Sequence, residues 1–186
     1  MHIRELDTRS DSEIELVAQR MRDTLIEVEG ADVGTTLYSM QWLRERVKWH
    51  LNPQTAIAKI FLATDANANA NANTNADEQI IGHTIVRKEI DEHGNVHGLF
   101  STTYVVPAAR GTGVADQLLL TGERWMVEIG LPSAATWTST TNANLIAMYA
   151  KYGYIEAGQH MHEVTGTVMV KLEKIFTVPS AISVSA

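Results

Sequence analysis

Between Val105 and Leu120 the chain reads VVPAARGTGVADQLLL. This is the end of an apolar strand, a turn broken by two glycines, and the first turns of an amphipathic helix. Gly111, Gly113 and Ala115 are small enough for backbone N–H groups to approach a ligand closely. A helix that begins there adds unsatisfied N–H groups and the positive end of its dipole. The turn is built to hold an anion.

Two phosphate loops fail against it at named residues. A nucleoside-triphosphate loop requires Lys followed by Ser or Thr, and neither follows Gly113. A dinucleotide fingerprint requires a third Gly where this chain has Asp116. What remains is Arg110-x-x-Gly113-x-Ala115, preceded by Val105-x-Pro107. That pattern resembles the acyl-coenzyme A pyrophosphate loop of the GCN5-related N-acetyltransferase (GNAT) superfamily. A second segment, NANLIAMYAKYGY at 142–154, resembles the other signature of that family, with Asn142, Tyr149, Lys151, Gly153 and Tyr154 in place. Leu145 stands where the family often has a small residue. By periodicity Leu145, Met148, Tyr149 and Tyr152 share one face of a short helix, with Asn142 as its N-cap and Gly153 at its end.

The chain has 186 residues, 45% of them hydrophobic, which suits one domain with a sizeable core. It contains no Cys, which removes disulfide scaffolds, thiolate zinc sites and cysteine nucleophiles. No apolar run approaches the roughly 20 residues that span a bilayer. MHIRELDTRSDSE lacks the apolar segment of a signal peptide, so a cytoplasmic protein without membrane partners is expected. The formal charge of −7 argues against a nucleic-acid coat protein and favours the approach of a cationic amine.

The order of elements reads β-α-α-β-β-β-α-β-α-β-β. His2 to Asp7 is the first strand, and Ser12-Glu-Ile-Glu15 has the form of a capping box opening a helix that ends near Gly30. Leu37 to Trp49 is a second helix, stopped by Asn52-Pro53. Thr55 to Thr64 and Gln79 to Arg87 read as a hairpin, and Asp91 to Asn95 turns into a strand from Val96 to Val106. Val114, Leu118, Leu119, Trp125, Met126 and Ile129 share one face of the next helix, with Gly130 as its stop. Ala134 to Thr140, Tyr154 to Gln159 and Val164 to Leu172 supply the later strands. Residues 65–78, an Ala/Asn alternation, offer no apolar face and are expected to be a hairpin-tip loop dispensable for turnover. Residues 1–176 then form one domain and 177–186 a loose tail.

The resemblance implies an α/β (α+β) GNAT fold, a central mixed, mostly antiparallel sheet flanked by helices. It implies acetyl-CoA as cosubstrate and transfer of its acetyl group to an amine on a small molecule or protein. Many relatives pair, so a homodimer is admitted. The diphosphate would sit on N–H groups from Gly111, Thr112, Gly113, Val114, Ala115 and Asp116, with Arg110 in the same loop. The pantetheine arm would pair with Thr103, Tyr104 and Val105, where Pro107 lets the strand splay from its neighbour. Asn142 would contact the pantetheine amides, although helix capping accounts for it equally. Tyr149 would be the general acid, protonating the departing thiolate. The base is left open among His97, which shares a face with Leu99, His83 on the preceding strand, and a chain of water. His160 and His162 would share a strand face, but with no third ligand evident they are read as non-metal. An acceptor pocket is expected between the two N-terminal helices and the late strands, with Leu37, Tyr38, Trp42, Trp137 and Tyr152 as candidate lining. The alternative function is a non-catalytic acyl-CoA sensor using the same loop, which would have no need of Tyr149.

Overall fold

Seven β-prone segments build one mixed sheet whose central strands are buried in continuous runs, because helices cover both of its faces. A computed structural model describes residues 1–65 and 79–177. The strands are β1 (His2–Glu5), β2 (Ala58–Asp65), β3 (Gln79–Ile90), β4 (Val96–Val105), β5 (Ser133–Ser139), β6 (Ile155–Met161) and β7 (Val168–Ile175), in the order β1-β2-β3-β4-β5-β7-β6. All neighbours run antiparallel except β4 and β5, which are parallel. That arrangement is the central mixed, mostly antiparallel sheet flanked by helices that the resemblance implies. The Ala/Asn segment and the end of the tail lie outside the described residues.

The helices are α1 (Asp11–Glu29), α2 (Ala31–Thr36), α3 (Met40–Leu51), α4 (Val114–Glu128) and α5 (Ala143–Lys151). Val17, Ala18, Leu43 and Val47 of α1 and α3 pack with Ile60, Leu62 and Ile85 on one face of the sheet. On the other face Val114, Leu118, Leu119 and Met126 of α4, with Tyr149 of α5, bury Val86, Phe100 and Val170. The cap of α1 is Ser10, two residues before the expected Ser12, with its Oγ accepting from Glu13 N–H at 3.3 Å. The same Ser-x-x-Glu spacing occurs there, and the Glu13 carboxylate is drawn to Arg4 at 2.7 Å and to Asp7 N–H at 2.9 Å. The short α2 was not expected, because ADVGTT carries Gly and β-branched residues of weak helix propensity. It forms where it packs against α1.

Two features of the sheet open a site. The β3–β4 register shifts between Ile85 and Val86, leaving Ser101 as the extra residue of a bulge in β4. The parallel ladder joins only Gly98, Leu99 and Phe100 to Ala134, Ala135 and Thr136. Beyond Phe100 the two strands part, so the splay begins several residues before Pro107. Pro107 opens a short 3₁₀ turn, Pro107–Ala109, instead.

Candidate active site

A cavity of about 1170 Å³ runs through the gap between β4 and β5. Its walls include Thr103, Tyr104, Val105, Arg110, Gly111, Gly113, Ala115, Asp116, Asn142 and Tyr149, so the two sequence signatures meet at one place. Its other end is walled by Leu37, Tyr38, Trp42 and Trp137, four of the five residues expected there. Tyr152 is not in the wall; its hydroxyl donates to Asp116 at 2.7 Å.

Gly111 and Gly113 have φ of 76° and 87°, a region costly for residues with a Cβ. These two left-handed residues turn the chain from β4 into α4. Among the described residues, no carbonyl accepts from the main-chain N–H groups of Gly111 to Asp116, and internal pairing resumes at Gln117 N–H to Gly113 O, 3.1 Å. Successive N–H groups at a helix N-terminus are an anion cradle. Asp116 holds its place there because Lys151 Nζ and the Tyr152 hydroxyl both bind its carboxylate at 2.7 Å. Lys151 first, then Tyr152, keeps that carboxyl below its ordinary pKa. Thr112 caps the turn, Oγ1 donating to Ala109 O at 2.7 Å.

Arg110 turns away from the cradle. Its Nε donates to Val105 O at 3.0 Å and its two terminal nitrogens clasp the Glu27 carboxylate at 2.8 Å each. Its main-chain N–H is also taken, by Pro107 O at 3.2 Å. The residue therefore ties the end of α1 to the start of the loop. Glu27 lies 83 positions away, so no local reading could pair them.

Tyr149 is 1% exposed, edge-on to Phe100 at 5.9 Å and to Tyr154 at 4.8 Å. Burial raises its hydroxyl pKa well above the ordinary value, and the neighbouring Thr136 and Thr103 hydroxyls offset only part of the rise. The group stays protonated at neutral pH and opens onto the gap. Asn142 caps α5, accepting from Leu145 N–H at 3.3 Å, and its Nδ2 donates to Thr138 at 3.2 Å.

The histidines separate. His97 is 7% exposed and lies outside the cavity wall, opposite Glu89 near the start of β4. His83 is fully buried behind Tyr104 with neither nitrogen hydrogen-bonded, and burial lowers its pKa to about 3. His160 is edge-on to Trp137 at 4.5 Å, whereas His162 falls beyond the end of β6 and accepts from Thr165 N–H at 3.3 Å through Nδ1. His162 does line the cavity. Its Nδ1 lone pair is already spent. Among the described residues no three His, Cys, Asp or Glu side chains form a metal-binding group. Nor is any described helix long and apolar enough to cross a membrane.

The family model of the acetyltransferase (GNAT) family matches residues 34–154. The chain belongs to that family. No curated protein matches it in sequence. Among solved structures it resembles the NatC complex bound to Gag peptide and CoA, at 15% identity over 95% of this chain and 98% of that one, TM-score 0.69. It also resembles a ribosomal-protein-alanine N-acetyltransferase from Brucella melitensis, at 17% identity over 95% of this chain and 100% of that one, TM-score 0.67. Ard1 from Thermoplasma volcanium aligns at 15% identity over 95% and 98%, TM-score 0.65. At these identities the likeness concerns the fold. The family's loop and its tyrosine are read from this chain's own residues.

Proposed function

We propose that the protein transfers an acetyl group from acetyl-CoA to a primary amine by direct attack within a ternary complex. The observation that carries this is the cradle of N–H groups from Gly111 to Ala115, bonded to no carbonyl, on a cavity that Tyr149 also lines. The cradle holds the diphosphate, and the part of β4 beyond Phe100, freed from β5, pairs with the pantetheine arm at Thr103, Tyr104 and Val105. Asn142, already engaged as a cap, borders the arm. The amine nitrogen attacks the thioester carbonyl carbon, the carbon–sulfur bond breaks, and the thiolate takes the proton of the Tyr149 hydroxyl.

The amine must shed its own proton. His83 and His50, both held near 3 by burial, are too weak as bases at neutral pH, and His97 does not reach the cavity. None of these histidines then serves as the base, and the proton's exit is assigned to solvent entering the cavity.

A sensor would bind acetyl-CoA without turnover, and a buried acid poised at the gap favours the enzyme over it. Free-thiol release with a panel of primary amines tests the reading. Amine-dependent release is expected; tight acetyl-CoA binding with no release on any amine would establish the sensor instead.

A further inference from the structure

Away from the cradle, the acceptor half of the cavity is walled by a cationic cluster. Arg46 and His50 lie one turn apart on α3, hence on one face. Arg87 of β3 sits across from Leu99 of β4, and the bulge residue Ser101 follows on the same wall. The guanidinium carbons of Arg46 and Arg87 lie 4.2 and 5.8 Å from the Trp49 ring centre, so one indole gathers both charges. Arg87 is paired with Glu89. Arg46 has no carboxylate partner among the described residues. The cluster keeps one positive charge in excess.

Its polar atoms are also unspent. Arg87 Nε, His50 Nδ1 and Ser101 Oγ are buried without a hydrogen-bond partner, and His50 is only 2% exposed. Buried polar groups are nearly always satisfied, and here three unpartnered ones belong to residues that line one cavity. All three can donate a proton, and a carboxylate offers the acceptor oxygens that answer them. A second ammonium would meet like charge, and an alkyl chain would leave every donor unmet.

Resting on the acetyltransferase reading, we propose that this cluster binds a carboxylate of the acceptor, so that the preferred substrate is a primary amine carrying an anion several bonds away. Leu99, beside Arg87, and Thr103, at the reacting end, are separated by about 13 Å of strand. The amine and the anion of the acceptor must therefore stand well apart, which an α-amino acid does not allow and an extended ω-amino acid or a peptide N-terminus with an acidic second residue does.

The test uses the full chain with CoA and a calorimeter. Wild type is expected to bind 6-acetamidohexanoate, the corresponding product, at least tenfold more tightly than N-hexylacetamide. Arg46→Gln should reduce that preference at least tenfold, and Ser101→Ala should lower it several-fold. Equal binding of the two compounds, or a preference indifferent to both variants, overturns the proposal whether or not the protein turns over. In thiol release, 6-aminohexanoate should exceed hexylamine and glycine by at least tenfold in kcat/KM. Two pentapeptides differing only in Glu or Gln at the second residue identify the source of the carboxylate. If the Glu peptide outruns both its Gln twin and 6-aminohexanoate, the acceptor is a peptide; the reverse order assigns a small molecule. A carboxylate preference in binding without release on any amine leaves the anion pocket standing and removes the acetyltransferase reading.

Discussion

Replacing His83 with Leu separates a structural histidine from a catalytic one, and its stability effect follows from burial. His83 is fully buried on β3, paired across the sheet with Leu62 and Tyr104, and neither ring nitrogen finds a partner. Leaving such groups unmet costs about 1–3 kcal/mol, while losing the ring contact with Tyr104 costs about 0.5–1.5 kcal/mol. Leu is of similar volume and joins the cluster of Leu62 and Ile85, so the variant should gain about 1 kcal/mol at pH 7. The gain should widen in acid. The folded pKa of His83 lies near 3 against 6.5 unfolded, so the unfolded chain binds the extra proton between those values. Stability is then present above pH 6.5 and lost as pH falls toward 3. At pH 5 that loss is about 2 kcal/mol, from the 1.5-unit distance below 6.5 at 1.36 kcal/mol per unit. The substitution abolishes this share, while His50, also held near 3, keeps its own. Urea melts of both proteins at pH 7 and pH 5 read the difference, and turnover at pH 7 should be retained. A destabilised variant at pH 7 with a parallel acid slope would refute the burial argument. A collapse of kcat with folding intact would return His83 to the chemistry.

Tyr149→Phe should lower kcat by about 100-fold or more while leaving acetyl-CoA affinity nearly intact, because the hydroxyl is lost and the ring is kept; unchanged turnover removes Tyr149 from the mechanism. Gly122→Ala on α4 would put a Cβ 2.5 Å from the Phe100 ring, which itself leans on Tyr149. The overpacking should cost about 1–3 kcal/mol despite alanine's better helix propensity, read as a drop in melting temperature. Glu27→Gln should barely change the melting temperature, since the pair with Arg110 is solvent-exposed. It should nevertheless raise the KM for acetyl-CoA several-fold by loosening the donor loop, and an unaltered KM would show that Arg110 needs only Val105 O.

The donor half of the site was legible because its chemistry is local. Residues 105–116 are contiguous, and the glycines that turn the chain also expose its N–H groups. Asn142 and Tyr149 sit seven apart on one helix, a spacing that any reading by period recovers. What escaped notice was set by distant partners. Ser101 lies in STTY, a run with no Gly or Pro to mark a bulge, and the bulge exists because β3 and β4 pair out of step around it. The helix α2 is poor in propensity and depends on α1 for its existence. Arg110 reads as a ligand-binding arginine until Glu27 is brought beside it.

Charge illustrates the same limit with a functional consequence. A net charge of −7 favours approach of a cationic amine, yet the cavity wall brings Arg46 and Arg87 together, with Glu89 the carboxylate paired to Arg87. The two facts act at different ranges. The whole-chain field guides a substrate over a Debye length of about 8–10 Å. Selection inside the cleft is decided by groups in contact, where desolvation strengthens each charge. Arg46, His50, Arg87 and Ser101 come from three elements and are unremarkable in sequence. Only the hairpin of β3 and β4 against α3 makes them a cluster, and their unmet donors give the acceptor a chemical signature that the sign of the whole protein does not reveal.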